Sequence, residues 1–170
     1  MKQKFEPADY PAYLYRFLNR ILVRCPRCDR CATIIPIAKH PAEGQAKVAP
    51  GNVGSVFWTD LVFSPRRLVC DSCGYNKDWQ GKKVGGKELR DGYFNQPLWL
   101  QTPCCGETLW AYNEEHLSFL RDYVGADLRE GGITGNSTLI SRLPLWIKSA
   151  KNREDVLRCI AKLRETLVAP

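Results

Sequence analysis

The feature that most constrains this chain is a pair of short turns, Cys25-Pro26-Arg27-Cys28 and Cys70-Asp71-Ser72-Cys73. Two cysteines three apart can present both sulfurs to one point, because backbone N–H groups fold around the first sulfur. Four thiolates are the full complement of a closed tetrahedral Zn²⁺ site. Gly74 follows the second pair, where the chain must turn through φ > 0, and a residue without Cβ does so freely. Cys25, Cys28, Cys70 and Cys73 are therefore the expected ligands of one structural zinc ion, spaced Cys-x2-Cys-x41-Cys-x2-Cys. The interval between the pairs is long, so residues 38–65 are read as an insertion that returns the second turn to the first.

The flanks support a strand–turn–strand hairpin around the first turn and a strand entering the second. Leu22-Val23-Arg24 enters the first turn, Ala32-Thr33-Ile34-Ile35-Pro36-Ile37 leaves it, and Arg67-Leu68-Val69 enters the second. Residues 38–55 carry Pro, Gly and Ala without periodicity and read as loop, whereas Val56-Phe57-Trp58 and Leu61-Val62-Phe63 look like strand pieces. Asn76 to Lys87 is polar, with Trp79 isolated in it. Pro97 to Thr102 and Thr108 to Tyr112 form a β-hairpin turning at Cys105-Gly106, expected in the core.

Helical spacing marks the rest. Asp9 caps a helix over 10–20, with Tyr10, Tyr13, Leu14, Phe17, Leu18 and Ile21 on one face. Asn113 caps another, ended by Gly131-Gly132, and Pro144 breaks a third between Leu143 and Leu145. Asn152 caps the last, whose stripe is Val156, Leu157, Ile160, Leu163 and Leu167. The expected fold is α+β: a zinc-ribbon β core with an added hairpin, an N-terminal helix and C-terminal helices. A single domain over 1–170 accommodates it, the β core spanning about 21–112 and the helical part about 113–168.

The other cysteines offer less. Cys28-Asp29-Arg30-Cys31 is an alternative pair, but Pro26 sets the turn in favour of Cys25 and Cys28, leaving Cys31 as a small apolar residue. Cys104 and Cys105, even with His116, do not make four good ligands and read as a packed turn. Cys159 lies beside Ile160 on the apolar side of its helix and reads as core.

Catalytic patterns are sparse. The two histidines, His40 and His116, have no sequence-local nucleophile, Gly85-Gly86-Lys87 lacks the spacing and hydroxyl of a phosphate loop, and four cysteines leave zinc no open position. A thiol–disulfide role for Cys25 and Cys28 is less apt than a metal, given the matching second pair. The chain reads as non-enzymatic. No apolar run approaches the length of a membrane span, and Met1 to Glu6 has no apolar stretch behind its charges. Paired cysteines without a secretory signal point to the cytoplasm.

The formal charge of +7 is unevenly spread. Arg16, Arg20, Arg24, Arg27, Arg30 and Lys39 face only Asp29 near the first turn. Arg142, Lys148, Lys151, Arg153, Arg158, Lys162 and Arg164 outnumber Glu154, Asp155 and Glu165 near the other end. The stretch between, 107–130, is acidic. Arg16, Arg20, Arg27 and Arg30 with the seven C-terminal cations are thus candidate phosphate contacts, and nucleic acid is the favoured partner. The alternative is a zinc-stapled scaffold whose aromatic surface binds another protein. No small-molecule substrate is evident.

The turns, with Pro97-Leu98-Trp99-Leu100-Gln101-Thr102, Cys104-Cys105-Gly106-Glu107, Leu109-Trp110-Ala111-Tyr112-Asn113 and Ser141-Arg142-Leu143-Pro144-Leu145-Trp146, resemble a bacterial group. It consists of zinc-ribbon-containing proteins of the transcription factor IIB-type label, and the resemblance covers residues 25–167. It implies a zinc site and a cytoplasmic protein, with nucleic acid as an analogy carried by the label alone.

Overall fold

The structure is a computed structural model that describes residues 14–37, 62–81, 85, 89–126 and 139–168. Antiparallel strands and helices are mixed, an α+β arrangement. Four strands form one sheet in the order β1 (Ile21–Arg24), β2 (Cys31–Pro36), β3 (Arg66–Val69) and β4 (Asn76–Trp79), every pair antiparallel. Spatial order follows chain order, so the β1–β2 and β3–β4 connections leave the same end of the sheet. The long β2–β3 connection leaves the other. Its length has no bearing on the cysteine end, because the β2–β3 register, Thr33 opposite Val69 and Ile34 opposite Leu68, already aligns the two turns.

Strand β1 is buried on both faces. Ile21 and Val23 join Ile34, Leu68 and Leu98 in one apolar cluster, while Leu22 points into a second cluster with Leu100, Leu109, Leu117 and Ile160. Alternation of side chains along a strand makes this division. The outer edge of β1 is covered: Leu22 N–H donates to Tyr112 O at 2.8 Å, Arg24 N–H to Pro97 O at 2.9 Å, and Leu22 O accepts from Trp99 N–H at 2.9 Å. These contacts dock the hairpin of β5 (Leu100–Cys104) and β6 (Glu107–Ala111) on the sheet. Its two-residue turn has Cys105 at φ 54° and Gly106 at φ 81°, the doubly left-handed geometry that suits strand twist.

Helix α1 (Glu114–Gly125) starts where expected, since the Asn113 side chain accepts from His116 N–H at 2.9 Å. The same amide donates to Phe17 O at 2.9 Å and Arg20 O at 2.8 Å. The helix stops at Gly125, with Ala126 extended, short of the anticipated Gly131-Gly132, and Leu128 lies outside the described residues. Helices α2 (Leu139–Arg142) and α3 (Leu145–Lys148) are parted by Pro144 as its missing N–H requires. A 3-10 turn, Ala150–Asn152, leads into α4 (Arg153–Val168). Asn152 does not act as the expected side-chain cap: its amide donates to Trp146 O at 3.0 Å. Val156, Ile160 and Leu163 bury the inner face of α4, each contributing roughly 1.5–3 kcal/mol.

Two expectations near the sheet are corrected, and one strand is added. Leu14–Asn19 is a 3-10 helix rather than part of an α-helix over 10–20, and residues 10–13 lie outside the described residues. Carbonyls in it and just after it are taken by distant side chains, those of Phe17 and Arg20 by Asn113 and that of Leu18 by the buried Arg66. Asn76–Trp79, noted from sequence only as polar, is an edge strand, and Trp79 packs edge-on to Tyr93 at 4.9 Å. Val62 and Phe63 are helical rather than strand, with the Tyr93 hydroxyl donating to Val62 O at 2.9 Å, and Val56 to Trp58 lie outside the described residues. Among the described residues no helix is long and apolar enough to cross a membrane.

Candidate metal centre

Each cysteine turn closes by the same local bonds. Cys25 N–H donates to Arg30 O at 2.8 Å and Asp29 N–H to Cys25 O at 3.0 Å; Cys70 N–H donates to Tyr75 O and Gly74 N–H to Cys70 O, both at 2.9 Å. Each turn also passes through a left-handed residue at the same place. Gly74 fills it in the second turn at φ 68°, and Asp29 fills it in the first at φ 59°. Asp tolerates that region better than most residues, and its carboxylate is held by the Arg24 guanidinium at 3.0 Å. Arg27 N–H reaches Cys25 Sγ at 3.4 Å, the inward-pointing amide anticipated from the spacing.

The two turns meet at the end of the sheet. Cys25 Sγ lies 3.7 Å from Cys73 Sγ, Cys28 Sγ lies 3.6 Å from Cys70 Sγ, and all four sulfurs are within 4.8 Å of one another. Among the described residues no other group of donors is gathered so tightly. Cys25 and Cys70 are buried, Cys28 and Cys73 half-buried, so the sulfurs face inward with one side near solvent. Burial pushes the Cys25 thiol up, but N–H groups of Arg27 and Cys28 and the neighbouring thiols outweigh it and bring it down to about 7. At Cys28 the Arg30 N–H favours the thiolate, yet burial and the other three sulfurs push it up to about 12. The first anion in the cluster thus resists the next, and a cation at the centre removes that conflict. Cys31 stays outside the group, half-buried against the second apolar cluster, its thiol pushed up to about 11 mainly by burial.

The candidate phosphate-binding cations are not gathered in one place. Arg27 and Arg30 are exposed on the first cysteine turn, Arg20 is exposed just before β1 at the opposite end of that strand, and the Arg16 side chain lies outside the described residues. Arg142, Lys151 and Lys162 are exposed on the helical part. Four others are engaged in the fold. Lys148 donates to Ser141 O at 3.1 Å, Arg153 to Ala126 O at 3.0 Å, Arg158 pairs with Asp155 at 3.1 Å, and Arg164 pairs with Glu114 at 3.6 Å.

Sequence reasoning missed two buried polar groups that shape this region. The Asp91 carboxylate accepts from the N–H groups of Tyr93, Phe94 and Gln96 at 2.8, 2.7 and 2.6 Å, locking the loop before β5. The Arg66 guanidinium sits 4.9 Å over the Tyr93 ring. Asp91 followed by Gly92 offered a turn signal, whereas nothing local marks Arg66 as buried. No family model, curated protein or solved structure matches the chain.

Proposed function

We propose that this is a non-enzymatic zinc-ribbon protein in which the two cysteine turns hold one structural Zn²⁺ and exposed basic residues contact nucleic-acid phosphates. The sulfur spacing carries the metal part. Four sulfurs about 2.3 Å from a central ion stand about 3.8 Å apart in a tetrahedron, close to the 3.6 and 3.7 Å observed. An all-thiolate set suits zinc and disfavours the oxygen-seeking divalent ions. The resemblance to bacterial zinc-ribbon proteins agrees with this reading.

The nucleic-acid part rests on Arg27 and Arg30, exposed on the first turn without a carboxylate partner among the described residues. A metal-closed turn holds such cations in place, so little side-chain-bearing backbone must be ordered on binding. Arg20, Arg142, Lys151 and Lys162 are exposed in the same condition. The protein-partner alternative draws on Leu145, 83% exposed on α3.

Metal analysis of the purified protein should find about one zinc per chain. Binding to single- and double-stranded DNA and to RNA should weaken steeply with salt, as counterions released on binding return. Reversing Arg27, Arg30 and Lys151 to Glu should lower affinity for all sequences alike, since phosphate contacts carry no base information. No binding at low salt, together with a protein captured by wild type and lost in Leu145→Asp, would decide for the scaffold.

A further inference from the structure

A second concave site lies among the helices, apart from the cysteines. A cavity of about 450 Å³ opens between β6, α1 and the α2–α3 segment. Trp110, Leu120, Leu139, Leu143 and Trp146 give it an apolar wall. Glu107 and Arg142 are exposed at its rim, and His116, only 3% exposed, lies at its floor. An apolar enclosure of this size with a few converging polar groups is the usual form of a small-molecule pocket.

His116 is the informative group. Its ring stacks on Phe17 at 4.6 Å, and Nδ1 accepts from Tyr112 N–H at 3.3 Å. With Nδ1 an acceptor and the ring kept neutral by burial, which lowers its pKa to about 3, the proton resides on Nε2. That N–H has no acceptor among the described residues, and Phe17 and Tyr112 occupy a ring face and the Nδ1 edge, leaving the Nε2 edge for the cavity. That edge is accessible rather than sealed, so it offers its N–H to water or to a ligand acceptor in the cavity. At the rim, Glu107 and Arg142 have opposite charge and line one cavity, yet neither side chain has a hydrogen bond or ion pair among the described residues. Leu89, also on the wall, is held at φ 65°, a strained state for a bulky residue that recurs at ligand clamps.

From this arrangement we propose that the cavity binds a free α-amino acid with a phenolic side chain. The ring packs on the apolar wall, and the phenol oxygen accepts from His116 Nε2–H at the floor. At the rim the ammonium faces Glu107 and the carboxylate faces Arg142. A hydrocarbon ligand would leave the floor donor and both rim charges unmet, and a simple acid or amine would answer only one rim charge. Neither the zinc site nor nucleic-acid binding is needed for this inference, so it stands or falls separately.

Calorimetric titration of the full chain with L-tyrosine, L-phenylalanine, tyramine and 3-(4-hydroxyphenyl)propionate tests it. Tyrosine should bind, with each of the other three at least about tenfold weaker, the scale of one lost hydrogen bond or charge contact to a buried site. Arg142→Ala should weaken tyrosine about tenfold and leave tyramine unchanged. His116→Phe, which retains the stack on Phe17, should abolish the preference for tyrosine over phenylalanine. Should that variant not fold, the same preference in wild type, read from ligand-induced rises in melting temperature, decides the point. No heat from any probe at millimolar concentration, or equal affinity for all four, overturns the proposal.

Discussion

The molecule has two groups of cysteines at nearly the same sulfur spacing and with opposite chemistry. Cys104 and Cys105 Sγ are 3.8 Å apart at the β5–β6 turn, against 3.6 and 3.7 Å within the four-cysteine group. Adjacent residues on a strand end point to opposite sides, so Cys104 is buried while Cys105 is exposed, and Cys159 Sγ turns to Pro103 O at 3.6 Å. Burial and the neighbouring thiols of Cys159 and Cys105 push the Cys104 thiol up. Among the described residues no N–H bonds the Cys104 sulfur in the way that Arg27 N–H meets Cys25. Proximity of sulfurs is therefore not enough. A ligand set needs the two-residue interval, which points both sulfurs of a pair one way, and the backbone N–H groups that favour their anions.

The sharpest test of this contrast is substitution at each group. Cys70→Ser should lose the metal and much of the roughly 10 kcal/mol or more that such a site contributes to folding. Cys105→Ala should leave metal content unchanged. Metal analysis with thermal melts reads both, and a second metal ion lost with Cys105 would erase the distinction.

Acid separates the two ends by another route. At the cysteine end, protons would compete with a bound metal for the thiolates. In the helical core, His116 is buried neutral, its pKa lowered by burial from 6.5 to about 3. The unfolded chain takes up a proton below about 6.5 that the folded chain does not. Stability should therefore fall by up to about 1.4 kcal/mol per pH unit on going from about 6.5 toward about 3. His116→Phe removes this contribution and leaves the thiolate one, so the wild type's denaturation midpoint should fall relative to the variant's as pH falls. Parallel pH curves would mean that the imidazole is protonated in the folded state.

The turn backbones give the smallest effect. Gly74 sits at φ 68° with open space around the missing Cβ, so Gly74→Ala costs only left-handed strain, about 1–2 kcal/mol. Cys105 is also left-handed, but at a position where Asn is the favoured residue. Cys105→Asn should be neutral or stabilising by less than about 1 kcal/mol, as chemical denaturation would show. Destabilisation by Cys105→Asn would instead give that thiol a structural role.

Sequence alone carried what short-range geometry determines. The cysteine turns close by bonds between residues four or five apart, Asn113 caps its own first helical turn, Pro144 interrupts its own helix, and Cys105-Gly106 turns its own hairpin. Local chemistry suffices for each, so each was legible. Tertiary structure decided everything that depends on partners far along the chain. The β2–β3 register brings the two turns together, β3 makes Asn76–Trp79 a strand although its own residues are poor strand formers, and distant side chains hold Leu14–Asn19 in a 3-10 helix. The ion pair between Arg164 and Glu114, which joins α4 to α1, and the cavity over His116 likewise exist only once the helices have packed. Burial and long-range hydrogen bonds outweigh intrinsic propensities of a few tenths of a kcal/mol per residue, and their strength is set by neighbours that no window of sequence contains.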